Sequence, residues 1–403
     1  MKLLVLSNGH GEDTIALRII EQLQNITKQL EITALPIVGE GYSYTQANMA
    51  IAGRVQQMPS GGFIYQGGKP LLQDLQGGLI NLTLEQLRLV KHWGSQGGLV
   101  LAVGDIVPLF YAWWSRSNYA FVGTAKSEYY LRDDQQWLTK TSWLEKKLGS
   151  VYLPWERWLM SRPTCKAVFP RDSLTTKILQ NWSIPAYDLG NPMMDGLVAT
   201  TRISQPHKLT VLLLPGSRMP EALHNWQQIL TSLVKIIAGE QTKQVEFLAA
   251  IAPALDLQPF INSAITQQWQ ISQENDQSIT LVQNNSKLIL SAQSYQKFLN
   301  QADIAIAMAG TATEQFVGLG KPVVIMPGQG PQFNYAFAEA QSRLLGCSVI
   351  LVESPVAVSM AIAQVMDQPQ LLAQIALNGK QRLGEAGAAA RIAQYLEDKL
   401  LKG

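Results

Sequence analysis

KLLVLSNGHGED (residues 2–13) and KLTVLLLPGSR (residues 208–218) follow one plan: an unbroken apolar run of strand length, then a glycine turn before a stretch of helical period. A strand that is apolar throughout, not at alternate positions, belongs in a sheet covered on both faces. LVLAVGD (99–105), VEFLAAIA (245–252), DIAIAMAG (303–310) and KPVVIMPG (321–328) repeat the pattern between longer segments of helical period. Such alternation predicts parallel sheets with crossover helices. The two fresh starts predict two doubly wound, Rossmann-like α/β domains, residues 1–205 and 206–403, facing one another across a cleft. The polar stretch ATTRISQPHK (199–208), which contains Pro206, is the expected hinge. Residues 371–401 read as two or three helices that close back over the fold, interrupted at Gly379, Gly384 and Gly387, and are counted with the second domain.

Composition narrows the functional classes. With 403 residues, 47% hydrophobic and 15% charged, the chain has apolar material for two cores and is not a disordered sequence. A net charge of +2, with Lys and Arg scattered, gives no footprint for nucleic acid. Cys165 and Cys347 form neither a disulfide framework nor a metal cluster, which fits a reducing cytoplasm. The opening MKLLVLSNGHGED reaches glycine and acid too soon for a signal peptide and reads as a first strand. The longest apolar stretch, Gly98 to Trp114, is broken by Asp105 and Pro108, so no spanning helix is expected. Trp113, Trp114, Tyr129, Tyr130, Trp137, Trp143, Trp155 and Trp158 gather near Lys146 and Lys147. They read either as the aromatics of a large core or as a peripheral membrane surface. Ser60 to Gly78, rich in glycine around Phe63 and Tyr65, reads as a surface loop or a lid.

Ligands of open α/β sheets bind beyond the carboxyl ends of the strands, so the residues after each apolar run are the candidates. Gly9, His10, Gly11, Glu12 and Asp13 follow the first run. The glycines allow close backbone approach, but Glu12 and Asp13 oppose a phosphate, which favours the neutral hydroxyls of an acceptor sugar as a ligand; a tight turn with acidic capping accounts for these residues equally well. Asp105 follows LVLAVG. Partial desolvation there would raise its pKa toward that of a usable base, and the same residue would also serve as a helix cap. Asp105 and His10 are the catalytic candidates. Gly216, Ser217 and Arg218, followed by Glu221, offer amides, a hydroxyl and a planar cation to a diphosphate; the bland reading is a turn whose Arg pairs with a surface acid. Gly310, Thr311, Ala312, Thr313 and Glu314 offer a helix start to phosphates and a carboxylate to ribose hydroxyls, although Thr311 and Glu314 also stand at capping-box spacing. Gln332 and Asn334 carry amides suited to sugar hydroxyls.

There is no G-x-G-x-x-G, no P-loop and no D-x-D, and the four histidines are dispersed. No metal or bound cofactor is therefore expected, and protein donors must meet the charge of a leaving group. One ordered set is more specific than any of its members: Gly9 to Asp13, Gly104-Asp105 with Pro108 and Phe110, Gly190-Asn191-Pro192-Met193-Met194-Asp195, Leu214 to Arg218 with Glu221, and Gly310 to Thr313. In this set the chain resembles the lipid-A-disaccharide synthase family and, more distantly, the N-acetylglucosaminyltransferase that makes the peptidoglycan lipid intermediate, both of GT-B fold.

The resemblance implies a metal-independent, inverting glycosyltransferase. It would use a UDP-sugar donor and a lipid or glycolipid acceptor, and would work in the cytoplasm or at the inner face of a membrane. By the same resemblance Asp105 matches the essential acid, Arg218 the phosphate-side arginine, and Gly310 to Glu314 the nucleotide-binding helix start. Gly9, Gly11, Glu12, Asp13 and Asn191 fall to the acceptor. His10, and Asn191 in place of a histidine, depart from the family pattern, while Gln332 and Asn334 look closer to other GT-B sugar pockets. A UDP-sugar 2-epimerase and a catalytically inactive nucleotide-sugar or lipid-binding protein are the rival readings.

Overall fold

The computed structural model describes residues 1–27, 29–55, 79–134, 136–197, 207–239 and 244–401. Two compact units emerge: Met1–Asp195 with Glu385–Gly403, and Gly196–Gly384. The expected lid at 60–78 and most of the expected hinge at 199–208 lie outside the described residues.

In the first unit, β1 (Lys2–Ser7), β2 (Glu31–Pro36), β3 (Ala50–Ile51), β4 (Leu99–Gly104), β5 (Tyr119–Gly123) and β8 (Cys165–Pro170) form a parallel sheet in the order β3-β2-β1-β4-β5-β8. A two-residue hairpin, β6 (Arg132–Asp133) with β7 (Gln136–Trp137), stands apart from it. The continuous apolar runs are explained by burial on both faces. Leu3, Val5, Leu101 and Val103 enter one core with Ile15, Ile19 and Leu23 of α1 (His10–Ile26). Leu4, Leu6, Val100 and Ala102 enter the other, with Val90 of α2 (Leu79–Ser95), Leu109 and Ala112 of α3 (Ile106–Trp114) and Leu159 of α4 (Pro154–Met160).

The end of the chain corrects the expected domain boundary. The closing helix Ala388–Leu396 puts Ala389, Ile392, Ala393 and Leu396 into the same core as α1, so residues 385–403 belong to the first unit. Asp195 fastens its start, accepting from the N–H groups of Gly387 (2.6 Å), Ala388 (2.9 Å) and Ala389 (2.7 Å). Satisfying three otherwise orphaned amides with one carboxylate is a strong reason for the helix to begin there. The preceding helix, Pro369–Leu383, ends at Gly384 as expected, but Gly379 lies within it and does not interrupt it.

The second unit contains β9 (Lys208–Leu214), β10 (Gln244–Ala250), β11 (Gln270–Asn275), β12 (Ser278–Gln283), β13 (Ser286–Ser291), β14 (Ile304–Ala307), β15 (Val323–Ile325) and β16 (Val349–Leu351). Their order is β11-β12-β13-β10-β9-β14-β15-β16, parallel except for the antiparallel β11 and β12 at one edge. Setting that edge hairpin aside, each sheet reads third, second, first, fourth, fifth and sixth strand across its width. This is the doubly wound order, whose direction reverses between the first and fourth strands. The crevices at β1/β4 and at β9/β14 are therefore where the fold offers ligand sites.

Candidate functional site

At the carboxyl end of the first sheet, three carboxylates gather. Asp105 follows β4 and is the N-cap of α3: its Oδ1 accepts from the Val107 N–H at 2.9 Å and from Asn8 Nδ2 at 2.7 Å. The capping role weighed from sequence is thus present. Both of these hydrogen bonds fall on Oδ1, and Oδ2 is not among the buried atoms sealed without a partner. Burial raises the Asp105 pKa, while the Val107 and Asn8 hydrogen bonds and the Lys126 charge oppose the rise. Gly104 has φ +136, a conformation that side-chain-bearing residues rarely adopt, and a Cβ there would also stand 2.1 Å from Asn8 Oδ1. The close approach of Asn8 to this strand end is what aims its amide at Asp105.

Glu12 and Asp13 occupy the first turn of α1, whose N-cap Gly9 supplies no side chain. Burial raises the Glu12 pKa, and the charges of Asp105 and Asp13 add to the rise. Thr124, directly after β5, donates to Glu12 Oε1 at 3.3 Å. Asp13 is 3% exposed and sits at the end of a hydrogen-bonded chain: Ser7 Oγ donates to its Oδ1 at 2.6 Å, and Tyr44 Oη lies 2.7 Å from Ser7 Oγ. Burial pushes the Asp13 carboxyl up to about 6, against the Ser7 hydrogen bond. Gly9, Gly11, Glu12, Asp13 and Asp105 are thus brought to one sheet end. His10 is exposed at the first position of α1. Asn191 is buried and spends Oδ1 on the Met193 N–H of its own turn, while Arg18, further along α1, donates to the Pro192 and Met193 carbonyls.

Three loops meet at the carboxyl end of the second sheet. Gly216, Ser217 and Arg218 follow β9 and lead into α5 (Glu221–Gly239), with Ser217 and Arg218 exposed. Ala309 and Gly310 lead into α6 (Thr311–Gly318), whose N-cap is Gly310 with no side-chain cap. The N-cap is thus one residue earlier than the competing capping-box reading of Thr311 and Glu314 requires. Thr313 is buried and turns its hydroxyl to the Ala309 carbonyl at 2.6 Å. The first-turn amides of Thr311 and Ala312 have no intrahelical acceptor, as at any helix start, and the N-cap Gly310 has no side chain to cap them. Gly328 to Asn334 lead into α7 (Tyr335–Leu345). Asn334 caps that helix, its Oδ1 accepting from the Phe337 N–H at 2.9 Å. Gln332 gives its backbone N–H to Glu221 at 3.0 Å.

No family model matches this sequence, and no curated protein matches it. Solved structures do. A Listeria monocytogenes protein assigned as a UDP-N-acetylglucosamine 2-epimerase superposes with a TM-score of 0.58 at 13% identity, over 100% of this chain and 97% of that one. MurG of Acinetobacter baumannii gives 0.55 at 13% identity, over 98% and 99%. The UDP-GlcNAc 2-epimerase of Neisseria meningitidis, bound to UDP-GlcNAc, gives 0.55 at 14% identity, over 100% and 100%. The fold is GT-B. At such identities the likeness speaks for the fold alone.

Within this GT-B chain, the structure adds residues that sequence reasoning did not single out. Ser7, Asn8, Tyr44, Thr124 and Lys126 complete the surroundings of the first site. Thr124 and Lys126 follow β5, a strand whose short run YAFVG was not recognised; recognition would have led to both. In the second site Asn225 and Gln341 are buried and tie the loops together. Their signal was helical spacing alone, with Asn225 four residues beyond Glu221.

The aromatic group divides. Tyr129 belongs to the core, whereas Phe110 and Trp114 of α3 and Trp158 of α4 are exposed, at 37%, 37% and 45%. Trp113 bridges them, with ring centroids 5.7 Å from Phe110 and 5.4 Å from Trp158. Lys91 stands 5.8 Å from the Trp114 ring and Arg162 4.3 Å from the Trp158 ring. Among the described residues, no helix is long and apolar enough to cross a membrane.

Proposed function

We propose that this chain is a nucleotide-sugar enzyme, and that its reaction is transfer of a sugar from a UDP-sugar to a lipid-linked acceptor. The observation that carries the reading is the set of chemistries at the two switch points: desolvated carboxylates after β1 and β4, and, after β9 and β14, an exposed arginine and a helix start whose N-cap, Gly310, has no side chain. The amides of Thr311 and Ala312, the α6 dipole and Arg218 suit a diphosphate. Glu314 takes the ribose hydroxyls, and Gln332 the sugar.

Asp105 takes the acceptor hydroxyl proton on Oδ2. The acceptor oxygen then attacks the anomeric carbon as its bond to the diphosphate breaks, and UDP leaves with its charge met by Arg218 and the α6 amides. The configuration inverts, and the step uses no metal. Glu12 accepts from acceptor hydroxyls, while Asp13, buried against Ser7, holds the turn that carries it; Gly9 and Gly11 allow a close approach, and His10 borders the entrance. A positioned base contributes about 10²–10⁴-fold and a charge-stabilising donor about 10²–10³-fold, so both are needed.

A lipid-linked acceptor is favoured by α3 itself. The helix begins at the Asp105 cap and ends nine residues on, about 13 Å away, at an exposed aromatic face beside Lys91 and Arg162. Amphipathic rings with cations suit the interface of an anionic membrane. A UDP-sugar 2-epimerase is the second reading, favoured by the likeness to the Listeria and Neisseria proteins.

Incubation with UDP-N-acetylglucosamine, with and without a detergent-dispersed lipid-linked monosaccharide, separates the two. UDP release that requires the acceptor supports the transferase, whereas change at C2 without any acceptor makes the chain an epimerase. If neither occurs and UDP compounds leave the unfolding temperature unmoved, the nucleotide-sugar reading fails.

A further inference from the structure

Glu221 holds two of the three loops of the second site in one register. It is the first residue of α5, only 8% exposed, and its Oε1 accepts from the N–H groups of both Gln332 and Phe333 at 3.0 Å. The loop lies so close that a Cβ at Gly330 would stand 2.3 Å from the Glu221 carboxyl carbon. The same loop is closed on itself by Gly328 N–H donating to the Phe333 carbonyl at 2.6 Å. One turn along α5, Asn225 donates to the Pro215 carbonyl at 3.0 Å, fixing the strand end before Gly216. From the far side of the loop, Gln341 of α7 donates to the carbonyls of Ala309 (3.2 Å) and Gly310 (3.1 Å), the residues that start α6. The chain of bonds therefore runs from the Arg218 loop through Glu221 to residues 328–334, through α7 to Gln341, and on to the α6 start. β9 and β14 are adjacent strands, joined at their ends by Met308 N–H donating to the Leu214 carbonyl at 2.8 Å, which closes the ring.

We infer that Glu221 is a positioning residue for the donor site: its carboxylate locks the loop 328–334 against the α5 start, and through that loop and Gln341 sets the α6 amides opposite Arg218. The inference rests on the reading of this unit as the diphosphate site. A buried carboxylate accepting two backbone amides is a charge-assisted pair of bonds, stronger than neutral contacts, and removing it leaves two N–H groups unsatisfied. A surface acid would have no such consequence. Gly330 is then small because of Glu221, not because of a ligand.

Hydrogen exchange and UDP titration of the full chain, compared between wild type, Glu221→Ala and Glu221→Gln, decide the matter. In Glu221→Ala the amides of 328–334 exchange at least ~10-fold faster, those of 309–313 follow, and UDP binds about 10-fold more weakly. Glu221→Gln, whose amide oxygen still accepts, restores both to within about 3-fold. Unchanged exchange at 332 and 333 in Glu221→Ala overturns the inference whatever UDP does. Faster exchange with undiminished UDP affinity overturns the positioning role. If wild type binds no UDP while exchange shows the stated pattern, the ring stands and the donor reading is what fails.

Discussion

The two sheets share a strand order and differ in the residues that come directly after their strands. After β1 and β4 the first unit sets Glu12, Asp13 and Asp105, all with pKa values raised by burial. After β9 and β14 the second sets glycine, small residues, an exposed arginine and a helix start capped by Gly310 without a side chain, with one acid, Glu314, in its first turn. On the proposed reading the first crevice serves proton transfer. The second, on the same reading, serves the diphosphate. The fold fixes where a ligand sits, and a handful of residues after each strand fixes its charge.

The largest effect that would test this contrast comes from Asp105→Asn. Asparagine can still accept from Val107 N–H and is a good N-cap, so folding should survive. Loss of the base should lower turnover by about 10²–10⁴-fold while UDP affinity is unchanged. Steady-state rates and a UDP titration of the same variant check it. A variant that turns over normally shows that the acidic crevice is a cap and nothing more.

Asp13 gives the next effect, read from stability. Its folded pKa is about 6 against an ordinary 3.8. The folded state therefore binds the proton more tightly, so the contribution of this group is full below 3.8 and is lost as pH rises through 6. At pH 8 the ionised carboxylate costs about 1–3 kcal/mol, since two pKa units correspond to roughly 2.7 kcal/mol. Asp13→Asn keeps an oxygen for Ser7 and should be more stable than wild type by that amount at pH 8, with the gain vanishing near pH 4. Denaturant midpoints at the two pH values measure it. A gain that is equal at both would mean that charge burial is not what distinguishes the first crevice.

Much of this contrast was legible in the sequence, for a physical reason. All six quoted apolar runs are strands, because a sheet buried on both faces demands continuous hydrophobicity, and that pattern is local. Asp105 and Arg218 stand out in the sequence because the residues after such a strand are ligand positions by topology. The strands β2, β5, β13 and β16 were not picked out, since ITALP, YAFVG, KLILS and VIL are short or flanked by further apolar residues. With β5 went Thr124 and Lys126. The allegiance of the closing helix was also illegible, because an apolar stripe at Ala389, Ile392, Ala393 and Leu396 says that a core exists but not which one. Long-range partners such as Glu221 with Gln332 and Phe333 leave no sequence signal beyond a carboxylate and glycines.

The smallest expected effect concerns Asn334, where an asparagine suited to a sugar is occupied otherwise. Its Oδ1 accepts from the Phe337 N–H at 2.9 Å and its Nδ2 reaches the Pro331 carbonyl at 3.4 Å, so both ends of the amide are engaged within the loop. Asn334→Ala should cost about 1 kcal/mol of stability, as the loss of an N-cap does, and Asn334→Ser should recover most of it. UDP-sugar affinity should fall by no more than about 3-fold, because α7 stays anchored through Gln341 and the loop through Glu221. Unfolding midpoints and a titration with the sugar nucleotide, set beside UDP alone, read the two effects separately. If Asn334→Ala instead weakens the sugar nucleotide tenfold or more and leaves UDP and the midpoint untouched, the amide serves the sugar directly. The second crevice would then recognise hydroxyls as well as phosphate, and the division of chemistry between the two sheet ends would be less sharp than their strands' end residues imply.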